Sequence, residues 1–92
     1  MAVQTTQFGR CLQELRRKAD KSRYRLAQYT GLNEAYLLRL ESGERRQPSR
    51  DVALMLALAL ASGSDQVSLY DVEELLLSAG YAPLRRRGQS HF

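Results

Sequence analysis

The stretch LAQYTGLNEAYLLRLESG, residues 26–43, constrains the fold of this chain more than any other. Gly31 separates two short amphipathic segments, and glycine adopts the left-handed backbone that closes a helix at little cost. Asn33 is placed to cap a second helix, in which Leu37 and Leu40 are spaced for one buried side. Two short helices joined by so tight a turn cross steeply. The outer side of the second helix is therefore predicted to face solvent as a rigid ridge.

Apolar residues three and four positions apart predict further helices on both sides of this two-helix unit. Ser22, Ser49 and Ser68 are placed as N-caps of the second, fourth and fifth helices, and Asp71 completes a capping box with Ser68. No stretch alternates as a strand does, so the sequence predicts an all-α domain of five helices. The predicted buried stripes are Phe8, Cys11, Leu12, Leu15 and Ala19 in the first helix, Val52, Met55, Leu56, Ala59 and Leu60 in the fourth, and Leu75, Leu76 and Ala79 in the fifth.

The length of 92 residues suits one small domain. We expect residues 1–7 to be disordered, residues 8–84 to form the domain and residues 85–92 to form a basic tail. The two-helix unit is predicted over residues 23–42.

Charge is divided unevenly along the chain, whose formal net charge is +4. Residues 8–50 are strongly basic, whereas residues 51–84 contain acidic residues and no Lys or Arg. Such a division predicts one surface for a polyanion and another surface for a different contact. The alternative is a solvated surface with unevenly placed charge.

Several classes of protein find little support in the sequence. A single cysteine, Cys11, excludes an intramolecular disulfide and a multi-cysteine zinc site. There is no Ser-His-Asp set and no glycine-rich phosphate loop, and the adjacent Glu73 and Glu74 face different ways on a helix. The longest apolar run, residues 52–61, is about half of what a membrane span needs. We therefore expect a soluble cytoplasmic protein that is not an enzyme, with no cofactor, no metal, no membrane contact and no evident small-molecule site.

The spacings resemble those of a known family, the helix-turn-helix domain of phage Cro and C1 repressors (the XRE family). The resemblance covers about residues 8–61 and implies a five-helix lambda-repressor-like fold. LLLSAGYAPL, residues 75–84, is similar to the segment that follows this domain in longer bacterial regulators, so it stays open whether the chain is a fragment of one. The matching positions are Leu15-Arg16-Arg17, Leu26-Ala27, Gly31, Leu37, Glu41-Ser42-Gly43 and Pro48-Ser49.

The resemblance implies a transcriptional regulator that binds double-stranded DNA and reads the major groove with a recognition helix at residues 33–42. The residues implied to face base edges are Glu34, Ala35, Leu38 and Arg39. Those implied to contact phosphates are Arg23, Asn33, Tyr36, Ser42, Arg45 and Arg46. Glu34 has a second interpretation, as a first-turn acid that complements the helix dipole. Glu41 is predicted to anchor a neighbouring arginine or the following loop rather than to contact DNA.

Members of the family usually act as dimers on near-palindromic sites, so a homodimer through the C-terminal half is expected. Leu54, Leu58, Leu69 and Leu77 exceed what one small core needs. The rival hypothesis is a protein-interaction module, in which the helix-turn-helix is only a scaffold and a regulatory partner takes the place of DNA.

Overall fold

The computed structural model describes residues 6–82 and contains within that range five α-helices and no strand. The predicted all-α architecture of five helices is confirmed. None of these helices is long and apolar enough to cross a membrane. The helices are α1 (Gln7–Lys18), α2 (Arg23–Thr30), α3 (Glu34–Ser42), α4 (Arg50–Ala61) and α5 (Leu69–Ser78).

Each helix begins where a side chain satisfies a backbone N–H of the first turn, which would otherwise lack a partner. The caps predicted for α2 to α5 are confirmed, and Ser68 and Asp71 form the predicted reciprocal capping box. The capping side chains are those of Thr6, Ser22, Asn33, Ser49 and Ser68.

The ordered fold begins earlier than the sequence indicated. Residues 1–7 were expected to be disordered, but Gln7 is the first residue of α1, and the Thr6 hydroxyl accepts the Gly9 N–H at 2.9 Å. That hydrogen bond fixes the first turn, and the prediction is therefore wrong for residues 6 and 7. Residues 1–5 and the predicted basic tail at residues 85–92 lie outside the described residues.

The core lies between consecutive helices and between helices that are distant in sequence. Helix α1 packs on α3 and α5, α2 packs on α3 and α4, and α4 packs on α5. The backbones of α1 and α3 approach so closely that a Cβ at Gly9 would lie 2.4 Å from the Leu40 carbonyl oxygen. Helix α3 is thus seated on a rigid base. The largest fully buried apolar side chains are Phe8, Leu12, Leu26, Leu37, Leu40, Leu56, Leu60, Leu75, Leu76 and Pro48.

The buried stripe of α4 differs from the predicted one. Met55 was expected inside the core but is 38 % exposed, and it lines an open groove with Tyr29 and Leu58. The reason is that α4 contacts both α2 and α5, so its buried side is centred on small residues between them. That side consists of Ala53, Leu56, Ala57, Ala59 and Leu60.

The C-terminal end of α4 is capped by Lys21, a residue that lies far before this helix in the sequence. The last turn of α4 contains no basic residue. Lys21 Nζ instead donates to the carbonyl oxygens of Ala59 at 2.6 Å and Ser62 at 2.8 Å. The same ammonium lies 5.4 Å from the centre of the Tyr29 ring, and the Tyr29 hydroxyl hydrogen-bonds the Ser62 hydroxyl. A positive charge at these carbonyls complements the helix dipole.

Candidate nucleic-acid interface

The turn between α2 and α3 has the geometry that its sequence predicts. Gly31 ends α2 with φ +80°, in the left-handed region, and its N–H donates to the Ala27 carbonyl at 2.8 Å. The Thr30 hydroxyl donates to the Leu26 carbonyl and accepts the Leu32 N–H at 3.2 Å. These bonds satisfy the backbone through the turn and fix the direction in which α3 starts.

Helix α3 presents two distinct sides. Leu37, Leu40 and Glu41 are buried. The opposite side is exposed to solvent, and its large apolar residue, Leu38, is 49 % exposed. All four residues predicted to read bases lie on that exposed side, spaced three and four apart as neighbours on a helix surface are. They are Glu34, Ala35, Leu38 and Arg39.

The buried carboxylate of Glu41 joins three helices. It accepts Arg16 Nε at 2.6 Å and Arg16 Nη2 at 3.2 Å, and also Arg23 Nη1 at 2.9 Å. The Glu41 side chain is only 2 % exposed, against 14 % for Arg16 and 33 % for Arg23. The prediction that Glu41 anchors a neighbouring arginine is confirmed.

Arg23 therefore has a partner that the sequence did not suggest. It was predicted to contact a phosphate directly, and the structure places its guanidinium against Glu41. A guanidinium has five N–H donors, and one of them is used in this hydrogen bond. The ion pair thus orients Arg23 at the start of α2 and leaves most of its donors for another acceptor.

The loop after α3 holds two exposed arginines of the predicted phosphate set. Gly43 ends α3 with φ +90°, and the Arg45 N–H donates to the Arg39 carbonyl at 3.0 Å. The Arg45 guanidinium lies 5.5 Å from the centre of the Tyr36 ring, a cation–π contact that orients its side chain. Arg45 and Arg46 are both exposed. The loop therefore carries two cations beside the C-terminal end of α3.

Two other members of the predicted phosphate set already make local hydrogen bonds. Asn33 Oδ1 caps α3 by accepting the Ala35 N–H at 2.7 Å, which leaves its amide NH₂ as the donor for a phosphate. The Ser42 hydroxyl donates to the Arg39 carbonyl at 3.2 Å and accepts the Glu44 N–H. Ser42 would have to exchange a hydrogen bond to donate to a phosphate. The six predicted residues lie around the ends of α2 and α3 rather than in one cluster.

Among the described residues, Cys11 and Asp71 have shifted pKa values, and both lie away from the exposed side of α3. Burial raises the pKa of the Cys11 thiol above its ordinary value, and the nearby Glu14 and Glu74 act in the same direction. Burial acts to raise the pKa of Asp71, but hydrogen bonds from Ser68 and the Lys18 ammonium, at 2.9 Å, outweigh it and lower that pKa. These groups serve the packing of α1 and α5.

Sequence reasoning missed two contacts that support this surface. One is Arg16, the main partner of Glu41. The helical spacing offered a signal, because Glu41 falls on the same side of the helix as Leu37 and Leu40 and is therefore expected to be buried. A buried carboxylate is normally paired with a cation. The other is the link between the loop after α3 and the end of α5, in which Gln47 bonds the Ala79 carbonyl and Tyr81 bonds the Pro48 carbonyl, and no local pattern indicates it.

Comparison with known proteins agrees with this geometry. The family model described as a helix-turn-helix domain matches residues 7–69, which span α1 to the start of α5. No curated protein matches the chain.

Proposed function

We propose, from the premise that the chain belongs to the helix-turn-helix domain family, that it is a sequence-specific regulator of transcription that binds double-stranded DNA. The observation that carries the proposal is the exposed side of α3, which is held by a buried opposite side and followed by a loop with two exposed arginines. Within the family, the spacing of its motifs favours the Cro/C1-repressor type. The proposed place of action is the cytoplasm, where a single cysteine stays reduced.

The reading of DNA bases is assigned to the exposed side of α3. The major groove is about 12 Å wide and admits one α-helix. The Glu34 carboxylate is suited to accept from cytosine N4, and the methyl groups of Ala35 and Leu38 are suited to contact a thymine methyl. Arg39 is suited to guanine or to an adjacent phosphate. The 49 % exposure of the Leu38 side chain supports an apolar contact that DNA would bury.

Phosphate contacts are assigned to the ends of the two-helix unit. Arg23, oriented by Glu41, serves the start of α2, and Asn33 serves the start of α3. Ser42, Arg45 and Arg46 serve the end of α3 and the loop that follows it, and Tyr36, in the first turn of α3, lies under the Arg45 guanidinium. A guanidinium binds a phosphate through two parallel hydrogen bonds, which favours arginine over lysine at such positions.

A homodimer through the C-terminal half completes the proposal. Two recognition helices about 34–36 Å apart would read successive turns of a near-palindromic site. Leu58, Leu69 and Leu77 are 59 %, 50 % and 54 % exposed, which supports burial against a second copy. Sedimentation of Leu77→Glu tests this: the variant should be lighter than the parent, and equal sedimentation would place the dimer surface elsewhere or make the protein a monomer.

Titration of Glu34→Ala and Arg46→Ala against selected and random duplexes, at several salt concentrations, tests the DNA proposal. Arg46→Ala should weaken binding to every sequence and reduce the log–log salt slope by about 0.9. Glu34→Ala should change the preferred base, at a cost of about 1–3 kcal/mol on the selected site, and leave binding to random DNA equal or tighter.

Arg10→Ala is the matched control, because it removes the same charge from α1, where Arg10 lines a groove with residues of α5. It should leave the salt slope nearly unchanged. If Glu34→Ala weakened both duplexes equally and kept the base preference, Glu34 would act only on the helix dipole, and the assigned reading side would be wrong.

A protein-interaction module is the second candidate. It is favoured by the exposed leucines of α3, α4 and α5, since such side chains are suited to an apolar partner. Absence of salt-dependent binding to random duplex DNA at low ionic strength would replace the DNA proposal with this one.

A further inference from the structure

The loop after α3 is connected to the end of α5 by two hydrogen bonds. Gln47 Nε2 donates to the Ala79 carbonyl at 2.8 Å, and the Tyr81 hydroxyl donates to the Pro48 carbonyl at 2.7 Å. The joined residues are 32 and 33 positions apart in the chain. Both bonds fall at the C-terminal end of the loop that carries Arg45 and Arg46.

The α5 side of this connection is itself well fixed. Helix α5 ends at Ser78, Gly80 follows with φ +89°, and the Tyr81 N–H donates to the Leu76 carbonyl at 3.0 Å. The Tyr81 ring is partly buried against the core, and its acceptor residue, Pro48, is fully buried. The phenol hydroxyl therefore has a defined position from which to hold the loop.

The other end of the loop is held by α3. The Arg45 N–H bonds the Arg39 carbonyl, and the Arg45 side chain lies over the Tyr36 ring. Arg46, between the two attachments, is exposed. The direction of its side chain therefore depends on a backbone fixed on one side by α3 and on the other by α5.

We infer that Gln47 and Tyr81 are positioning residues for DNA binding, which hold the loop so that Arg45 and Arg46 meet the phosphate backbone. This inference rests on the proposed function. The segment after α5 would thereby contribute to the affinity for DNA, although none of its residues belongs to the predicted interface. Release of the Tyr81 hydroxyl from Pro48 lets the loop sample other positions, and each ordered phosphate contact then costs more conformational entropy to form.

A double-mutant cycle on the full chain separates this role from a general effect on folding. Tyr81→Phe removes only the hydroxyl and should weaken binding to selected and random duplexes alike by roughly two- to tenfold, the range expected for one hydrogen bond. In an Arg46→Ala background the same substitution should weaken binding by a smaller factor, because one of the two phosphate contacts that it positions is already gone. Gln47→Ala is the second variant and should behave in the same way.

Tyr70→Phe is the control, because Tyr70 is an exposed tyrosine of α5, at 67 % exposure. Amide hydrogen exchange of residues 44–47 in the free protein supplies a readout that needs no DNA, and exchange should be faster in Tyr81→Phe. Circular dichroism must show the same helix content in the parent and each variant.

Equal losses from Tyr81→Phe in the parent and Arg46→Ala backgrounds would overturn the inference, as would unchanged affinity or unchanged exchange in the loop. If the parent bound no duplex at low salt, the proposed function would fail, and this inference would fail with it. That result appears in the parent, so it is distinct from a failure that appears only in the variants.

Discussion

Replacement of Glu41 by glutamine tests the contact that joins α3 to α1 and α2. The carboxylate accepts three hydrogen bonds from two guanidinium groups, and its side chain is 2 % exposed. Glutamine has nearly the same shape but no charge, and its amide NH₂ is a donor that faces other donors. At most two of the three hydrogen bonds then survive, because Oε1 accepts from both Arg16 Nη2 and Arg23 Nη1 and the amide oxygen can take its place, whereas the bond from Arg16 Nε to Oε2 is lost.

The expected magnitude follows from the burial of the three groups. Hydrogen bonds to charged groups contribute about 1.5–3 kcal/mol each, so the loss of one of them, together with the weakening of the other two when their acceptor loses its charge, corresponds to about 3 kcal/mol. Removal of one partner of a buried ion pair costs about 3–5 kcal/mol. The lower end applies here, because Arg16 and Arg23 are 14 % and 33 % exposed and recover some hydration. For a domain of this size, 3 kcal/mol lowers Tm by roughly 12–24 °C.

Urea and thermal unfolding followed by circular dichroism measure this effect. Glu44→Gln is the matched control, because Glu44 is an exposed acid three residues further along the chain. It should change the free energy of unfolding by less than about 0.5 kcal/mol. A loss below about 1 kcal/mol for Glu41→Gln, or a loss equal to that of the control, would refute the claim that this carboxylate holds α1, α2 and α3 together.

Three further predictions concern packing, pH and reactivity. Gly9→Ala should cost at least about 2 kcal/mol in urea unfolding, because its Cβ would lie 2.4 Å from the Leu40 carbonyl oxygen, whereas Gly31→Ala, whose Cβ meets nothing within 4 Å, should cost about 1 kcal/mol from its left-handed backbone alone. The folded-state pKa of Asp71 is lowered, so the stability that its charge contributes is present above the ordinary aspartate pKa of about 3.9 and is lost as the pH falls through the folded value. The stability difference between the parent and Asp71→Asn should thus be constant from neutral pH to about pH 4 and shrink below it; a difference that grew on acidification would contradict this. Because the pKa of Cys11 is raised, iodoacetamide should alkylate it more slowly in the folded than in the urea-unfolded protein at pH 8, and equal rates would contradict the burial argument.

Local chemistry made most of the fold predictable from the sequence. Ser22, Asn33, Ser49 and Ser68 cap helices as predicted, since a cap is decided by a few neighbouring residues. The left-handed Gly31 is predictable for the same reason. The solvent-exposed side of α3 was predictable from helical spacing, because the apolar positions define the buried side and the opposite side must then face solvent.

Contacts between distant segments were beyond sequence reasoning. Periodicity placed Met55 in the core, because it cannot show that two neighbours of α4 would divide its surface between them. Arg23 was assigned to a phosphate alone, because the approach of Glu41 depends on how α2 crosses α3. The bond from Tyr81 to Pro48 exists only once α5 is docked, so no local pattern could predict it.

The lysine at the end of α4 has a consequence for the order of folding. The Lys21 ammonium donates to the carbonyls of residues 59 and 62, and the longer of these two hydrogen-bonded links spans 41 positions of the chain. A chain segment of that length must close before the ammonium reaches them, so the last turn of α4 gains this contact late. Substitution of Lys21 should accordingly accelerate unfolding and leave the folding rate nearly unchanged. An isolated peptide of residues 49–62 lacks the ammonium and should fray at that same turn.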